Sequence, residues 1–274
     1  GLLRTTQSPN EGVFHMSSRS PLLAQLGSVL LLVLSAVMVV SCTATPGSEP
    51  SAPATSGEAT LLPAAEGQTG YPLTLTSPYG ESVITQRPTR VATVGANAVD
   101  TELLLAMGGV PVTTNGLGYK KAPWLAEAAA GRIELVFETE SWDQYPYESI
   151  AAAKPDVIVA FGYDLTNSFA KLSEIAPVIT SDKPWTGYFS NPWKDNIRIL
   201  GNALDLPAAA EKVISDYDAY ITGTRQAHPG FEGKSLSYTV WFGTQRGLSY
   251  QSLPGSIIEE VFTSIGFTQA PQAG

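Results

Sequence analysis

The sequence predicts an α/β fold in which a parallel-type sheet is flanked by helices. Three observations carry this reading. Val157-Ile158-Val159-Ala160 is an unbroken apolar run, as a parallel strand covered on both faces requires. Runs of that kind alternate with short helical stretches over residues 90–180, the pattern of β–α–β units. A longer stretch, Ala208 to Arg225, places Val213, Ile214, Tyr217 and Ile221 at helical spacing before a new strand-like run begins.

The 274 residues can hold one large domain or two of ordinary size, and 43% hydrophobic residues suffice for a core. The formal net charge is −9. Of the 16 basic residues Arg4 and Arg19 precede Cys42, and of the 25 acidic ones Glu11 does, which leaves 14 against 24, a net of −10. That balance argues against nucleic acid as a partner, because phosphate binding needs a basic footprint. It leaves room for a small anionic ligand held by a few local cations. Cys42 is the only cysteine, so no intrachain disulfide forms. The two histidines, His15 and His228, do not by themselves make a His-rich metal site.

Leu22 to Val40 is a long apolar run with Arg19 before it and Ser41-Cys42 after it, the layout of a signal peptide. Val39-Val40-Ser41-Cys42 resembles the bacterial lipobox, with Val where Leu is usual. That resemblance implies that Cys42 is diacylated and becomes the new amino terminus, and two acyl chains give stable anchoring. A single membrane-spanning anchor is the alternative, since the run is nearly long enough to cross. Met16 opens a more conventional signal sequence, so residues 1–15 read as upstream sequence. Residues 1–41 are assigned to this upstream and signal segment. Residues 42–70, rich in Ser, Thr, Ala, Pro and Gly, are expected to be a flexible tether.

Tyr71 to Pro78 alternates as a strand, Tyr79-Gly80-Glu81 is a turn, and Ser82-Val83-Ile84 returns as the second arm of a hairpin. Arg90 to Gly95 is a buried strand that leads through Gly95-Ala96-Asn97 into a helix over Val99–Met107, stopped by Gly108-Gly109. Val110 to Thr114 is the next strand. Asn115 to Trp124 reads as a loop with glycines, aromatics and the cations Lys120 and Lys121, and Thr139 to Tyr147 as a second aromatic-rich loop. Ile150 to Ala153 suits a short helix that Pro155 ends at Lys154, and Phe161-Gly162-Tyr163-Asp164 follows the strand 157–160. Leu165 to Ile175 reads as a helix, Pro177 to Thr180 as a strand, and Lys183 to Trp193 as a further aromatic loop. A helix over Pro192–Ala203 precedes the long one, with Pro207 suited to its first turn. Ser235 to Phe242 reads as one strand, Gly243 to Tyr250 as its loop, and Gly255 to Ile265 as a helix ended by Gly266.

If the sheet is parallel, the loops emerge on one edge, where open α/β sheets bind ligands. Asn97, Tyr119, Trp142, Tyr145, Tyr163, Trp185 and Tyr188 are the cleft candidates, with Lys120 and Lys121 beside them. Such a cleft suits a bulky ligand that is partly apolar or aromatic and partly negative. Arg246 is the candidate for facing an anion, because a guanidinium engages carboxylate, catecholate or hydroxamate oxygens, and Trp241 and Tyr250 are weaker candidates. Trp124 and Tyr147 also read as inward-packed residues, and Lys120 and Lys121 as solvated.

Several segments occur in the order and spacing of a known family. They are Pro88-x-Arg90-Val91, Thr101-Glu102-Leu103, Gly109-Val110-Pro111-Val112, Glu148-x-Ile-x-Ala-x-Lys-Pro-Asp156, Ser173-Glu-Ile-Ala-Pro-Val178, and Leu200-Gly-x-Ala-Leu-x-Leu206. Together they resemble the substrate-binding proteins of ABC importers for iron–siderophores and cobalamin, over Pro72 to about Gly266. The resemblance implies a two-lobed periplasmic-binding-protein fold with a long interlobe helix. Residues 71–206 would be the first lobe, 207–229 the helix, and 230–274 the start of a second lobe that is truncated. Val240, Ile257, Ile258, Val261 and Phe262 are then expected to lack part of their burial. Glu148 would dock on the membrane permease, although it equally suits a first-turn helix acid.

The function implied is a monomeric, lipid-anchored, extracytoplasmic protein that captures a ferric siderophore for an ABC importer. No cofactor is bound directly, since the iron arrives wrapped in the siderophore, and nothing is catalysed. A cobalamin or haem carrier is the alternative, haem drawing an axial ligand from Tyr119, Tyr163 or Tyr250. An enzyme on the same scaffold is a third reading. It lacks support from any nucleophile elbow, Walker loop or His-centred cluster.

Overall fold

The structure, a computed structural model, describes residues 60–139, 141–187, 191–251 and 254–270. The signal segment and Cys42 lie outside them. The buried runs become a five-stranded parallel sheet of β3 (Val91–Thr93), β4 (Thr113–Asn115), β5 (Leu135–Phe137), β6 (Val157–Val159) and β7 (Val178–Ile179), in the order β5-β4-β3-β6-β7. Ahead of it stands the antiparallel hairpin β1 (Leu73–Ser77) and β2 (Gly80–Ile84), with Leu73 opposite Ile84 and Ser77 opposite Gly80.

Period-two alternation sends side chains to both faces of the sheet. Val91, Val157 and Val159 face one cluster with Leu104, Leu200 and Leu204, from α1 (Val99–Ala106) and the end of α6 (Trp193–Ala203). Ala92, Val94, Ile158 and Ala160 face the other, with Ile150 of α4 (Tyr147–Ala152) and Phe169 and Leu172 of α5 (Phe169–Ser173). Both faces are covered by apolar clusters, which lets Val157, Ile158 and Val159 of β6 run without polar alternation.

Several elements depart from the sequence expectation. β5 has no sequence signal of its own. It is an edge strand of three residues between Glu134 and Glu138, and Leu135 stays 37% exposed. The expected loop 115–124 holds α2 (Gly116–Tyr119) and the start of α3 (Pro123–Ala129). Asn115 caps α2 by accepting the Leu117 N–H at 3.0 Å, and Pro123 opens α3. Trp124, read as packed inward, is 60% exposed, and its Nε1 donates to Glu102 at 3.3 Å. The expected helix 165–175 contracts to α5, because Asp164 accepts from Thr166 N–H and Oγ1 and holds the chain in a turn.

Residues 61–70, expected within the tether, form a fixed strap. Leu62 is buried, and Val110 N–H donates to Leu61 O at 2.7 Å, at the amino end of β4. Asp205 accepts from the N–H groups of Gly67, Gln68 and Thr69 at 2.8, 2.8 and 2.9 Å. Glu66 in turn accepts from Ala208 and Ala209 N–H at 2.6 and 2.9 Å, capping α7 (Pro207–Ala227). Arg87 completes the clamp by donating to Leu204 O at 2.9 Å and Pro63 O at 2.7 Å.

Helix α7 has 21 residues, and only Ala210 and Ile214 are buried along it. Past it, the expected strand 235–242 divides into β8 (Ser235–Leu236) and β9 (Thr239–Trp241). β8 pairs in parallel with β11 (Thr268–Gln269). The expected loop 243–250 returns as β10 (Leu248–Tyr250), antiparallel to β9 around Gly243 and Gly247. α8 (Ile257–Ser264) is capped by Ser256, whose Oγ accepts the Glu259 N–H at 3.2 Å. No residue of α8 is buried, and Val240, Ile257, Ile258, Val261 and Phe262 are each half-buried. Among the described residues no helix is long and apolar enough to cross a membrane.

Candidate functional site

From β3 the chain passes through α1 to β4 on one side, and from β6 through α5 to β7 on the other. The strand order reverses at this pair. The crevice beyond the carboxyl ends of such strands is where open α/β sheets take ligands. Loop 94–98 leaves β3 there and loop 160–168 leaves β6, and they touch. Gly162 has φ +80°, and a Cβ on it would stand 2.5 Å from Asn97 Nδ2. Asn97 Oδ1 accepts the Val99 N–H at 3.2 Å and turns the loop into α1. α2 closes against the same loop: a Cβ on Gly118 would stand 2.6 Å from Ala96 O.

Asp100 lies beneath, with none of its surface exposed. Its carboxylate accepts the Gly95 N–H at 2.7 Å and the Thr101 N–H at 3.1 Å. Burial pushes the Asp100 carboxyl up to about 7, against those N–H groups, which favour the charged form. A hydroxyl chain ties α1 to the sheet, with Thr101 Oγ1 2.8 Å from both Thr93 Oγ1 and Thr114 Oγ1.

Aromatic side chains stand along this edge. Trp142 is 44% exposed and stacks on Tyr163, ring centroids 5.9 Å apart and planes 25° apart. Lys121 Nζ lies 5.9 Å from the Trp142 ring, within reach of a cation–π contact. Trp185 Nε1 donates to Gly162 O at 3.1 Å, and Tyr79 Oη to Tyr163 O at 3.4 Å. Between them lies a shallow, open cleft lined also by Thr180, Lys183 and Asn191. Its floor is uncharged: Asn196, 1% exposed, donates from Nδ2 to Asn191 Oδ1 at 2.9 Å.

The edge thus brings together Asn97, Trp142, Tyr163 and Trp185 of the expected residues, with Lys121 beside them. Tyr145 does not join them. Like Tyr163 it is 8% exposed, but it packs in the core cluster with Ile150, Ile158 and Phe169, and burial drives its hydroxyl pKa well above the usual range. Tyr119 is half-buried against Ala98, Ala122 and Leu125. Lys120 is ion-paired with Glu138. Trp241, Arg246 and Tyr250 belong to the separate β9–β10 hairpin, with Trp241 60% exposed and Tyr250 Oη donating to Ala270 O at 3.3 Å. Glu148 stands exposed in the first turn of α4. Tyr188 lies outside the described residues.

Tyr79, Thr180, Asn191 and Asn196 escaped the sequence reading. Thr180 and Asn191 stand in stretches already read as strand end and aromatic loop, so their position after β7 was the available signal. Tyr79 had none, because its reach depends on where the hairpin packs. Among the described residues no group of three or more His, Cys, Asp or Glu is placed to hold a metal ion.

The sequence model described as periplasmic binding protein matches residues 94–270. A probable siderophore-binding lipoprotein of Bacillus subtilis is 27% identical over 165 residues, 59% of this chain and 48% of that protein. An achromobactin-binding periplasmic protein of Dickeya dadantii is 28% identical over 181 residues, 66% of this chain and 56% of the relative. The chain therefore spans about half the length of these curated relatives. Among solved structures, a periplasmic solute binding protein of Mycobacterium smegmatis superposes with a TM-score of 0.60 at 31% identity, over 73% of this chain and 70% of the other. The iron-uptake protein PiaA of Streptococcus pneumoniae, in complex with ferrichrome, gives 0.56 at 26% identity, over 72% and 67%.

Proposed function

The chain belongs to the periplasmic binding protein family, and from that premise we propose that it captures a ferric siderophore outside the cytoplasmic membrane and delivers it to an ABC importer. One observation carries the reading: the Trp142–Tyr163 stack, with Asn97 and Trp185, stands at the carboxyl edge where the strand order reverses. The siderophore-binding relatives and the ferrichrome complex support it. The exposed Trp142 ring offers area to a bulky chelate, and the amides and hydroxyls orient it. The iron is cargo, held by the siderophore's own oxygens, and the protein performs no bond chemistry on it. Cys42 is the lipid attachment that keeps the protein at the membrane, and Glu148 is the docking contact to the permease.

The test is a tryptophan-fluorescence titration of the purified chain with ferric siderophores, cobalamin and haem, since Trp142 and Trp185 sit where a ferric chelate would quench them. Saturable quenching by a ferric siderophore at sub-micromolar concentration, about −8 kcal/mol or better, is expected. The ligand should be recovered chemically unchanged. Binding of haem or cobalamin alone, or turnover of the ligand, overturns the reading.

A further inference from the structure

The turn from β3 into α1 carries Asn97 to the ligand edge, and one buried carboxylate holds that turn. Asp100 Oδ2 accepts the Gly95 N–H at 2.7 Å, and Oδ1 accepts the Thr101 N–H at 3.1 Å. The backbone comes so close that a Cβ on Gly95 would stand 2.9 Å from either oxygen. Asn97, two residues on, accepts the Val99 N–H, and its Nδ2 leaves no room for a Cβ on Gly162. Gly162 O in turn accepts the Trp185 indole N–H at 3.1 Å. A shift of Gly95 is thus passed through Asn97 to loop 160–168 by direct contacts.

Both Asp100 oxygens are occupied by N–H donors. A proton on either would set an O–H against an N–H and give up one of these bonds. Burial nevertheless favours the protonated form and raises the carboxyl to about 7, against the N–H groups of Gly95 and Thr101. Loop 94–98, α2 and strands β3, β4 and β6 carry no acidic or basic residue. Glu102, on α1, accepts from the Trp124 indole, and Asp143 is exposed. Tyr145 feels the Asp100 charge, and burial keeps its hydroxyl protonated through the neutral range. Resting on the siderophore reading above, we propose that Asp100 is a positioning residue that works in its ionised form. By holding the Gly95 N–H it sets Asn97 at the ligand edge, so affinity falls as Asp100 takes up a proton.

The experiment titrates the purified chain and its Asp100→Asn variant with ferric tris-hydroxamate, tris-catecholate and α-hydroxycarboxylate chelates, from about pH 5.5 to about pH 8.5. For each chelate that binds, the ratio of variant to wild-type Kd cancels any protonation of the chelate itself. That ratio is expected to rise from about one at the acid end to about tenfold at the alkaline end, centred near pH 7. By reciprocity the bound chelate lowers the Asp100 carboxyl, so binding at pH 7 should release about 0.4 of a proton from the wild type. Calorimetry in buffers of different ionisation enthalpy reads that release, which Asp100→Asn should lack. The carboxyl ¹³C shift of Asp100, followed against pH with and without chelate, reads the same linkage in the wild type alone. A Kd ratio flat in pH, or an Asp100 carboxyl that titrates alike in both states, overturns the proposal while the siderophore reading stands. Failure of every chelate to bind overturns both.

Discussion

A methyl group on Gly162 would stand 2.5 Å from Asn97 Nδ2, on a backbone with φ +80° that L residues rarely adopt. The Gly162→Ala variant is expected to push loops 94–98 and 160–168 apart, weaken ligand binding by tenfold or more, and cost about 1–3 kcal/mol of stability. Calorimetry for the ligand and denaturant melts for the fold read these separately. Asp100, directly beneath, makes stability depend on pH. Its carboxyl is raised in the folded state, so the protein holds that proton when the unfolded chain has released it. Its contribution is full below about pH 4 and falls as pH rises towards about 7, each pKa unit being worth about 1.4 kcal/mol. Asp100→Asn is therefore expected to gain on the wild type between those pH values and to keep a constant difference above them, measured as unfolding free energy against pH. Neither residue stood out in the sequence as more than a loop glycine and a first-turn acid. The two tyrosines show why: Tyr145 and Tyr163 occupy similar aromatic loops, and packing alone sends one into the core and the other under Trp142.

Among the elements, β6 was legible because Val157-Ile158-Val159 runs apolar and unbroken, and β3 and β4 because Val91-Ala92 and Val110-Pro111-Val112 lead into their buried polar residues Thr93, Thr113 and Thr114. β5 was not, since three residues at an edge make no pattern. α2 was hidden by Gly116 and Gly118, which are poor helix formers chosen here for close approach to neighbouring loops. The strap was invisible for a different reason: Asp205 lies 136–138 residues from the N–H groups it accepts. Burial would raise the Asp205 carboxyl, and the N–H donors of Gln68, Thr69 and Gly67 outweigh it and hold it low. Its contribution is present above the ordinary carboxyl range and is lost as pH falls through the lowered value. Asp205→Asn keeps the left-handed backbone that Asp and Asn tolerate and sets an amide against the N–H donors. It is expected to speed hydrogen exchange of Gly67–Thr69 while the amides of β3 and β6 keep their protection. On α7, Gly223 has open space around a would-be Cβ, so Gly223→Ala should stabilise by about 0.5–1 kcal/mol, seen as a higher Tm.

At the scale of the whole molecule, the proposed function assigns capture and delivery to separate surfaces. Glu148 stands on the surface at the start of α4, and reversing its charge alters nothing in the aromatic stack. Glu148→Lys is expected to bind ligand within about twofold of the wild type, a typical outcome for a surface change, and to lose uptake in cells that depend on this importer. Loss of binding would place Glu148 in the ligand site, and unchanged uptake would remove it from docking. The strap has a mechanical consequence of its own. It meets the body at the amino end of β4 and at the α6–α7 junction, on the side of the sheet away from the ligand edge. Tension applied at residue 60 must first shear the Glu66 and Asp205 clamps and the Leu61–Val110 bond, all at that end. On the proposed lipid-anchored reading, the strap works as a strain relief does on a cable: a pull at residue 60 is taken up at these clamps before it reaches the carboxyl edge of the sheet.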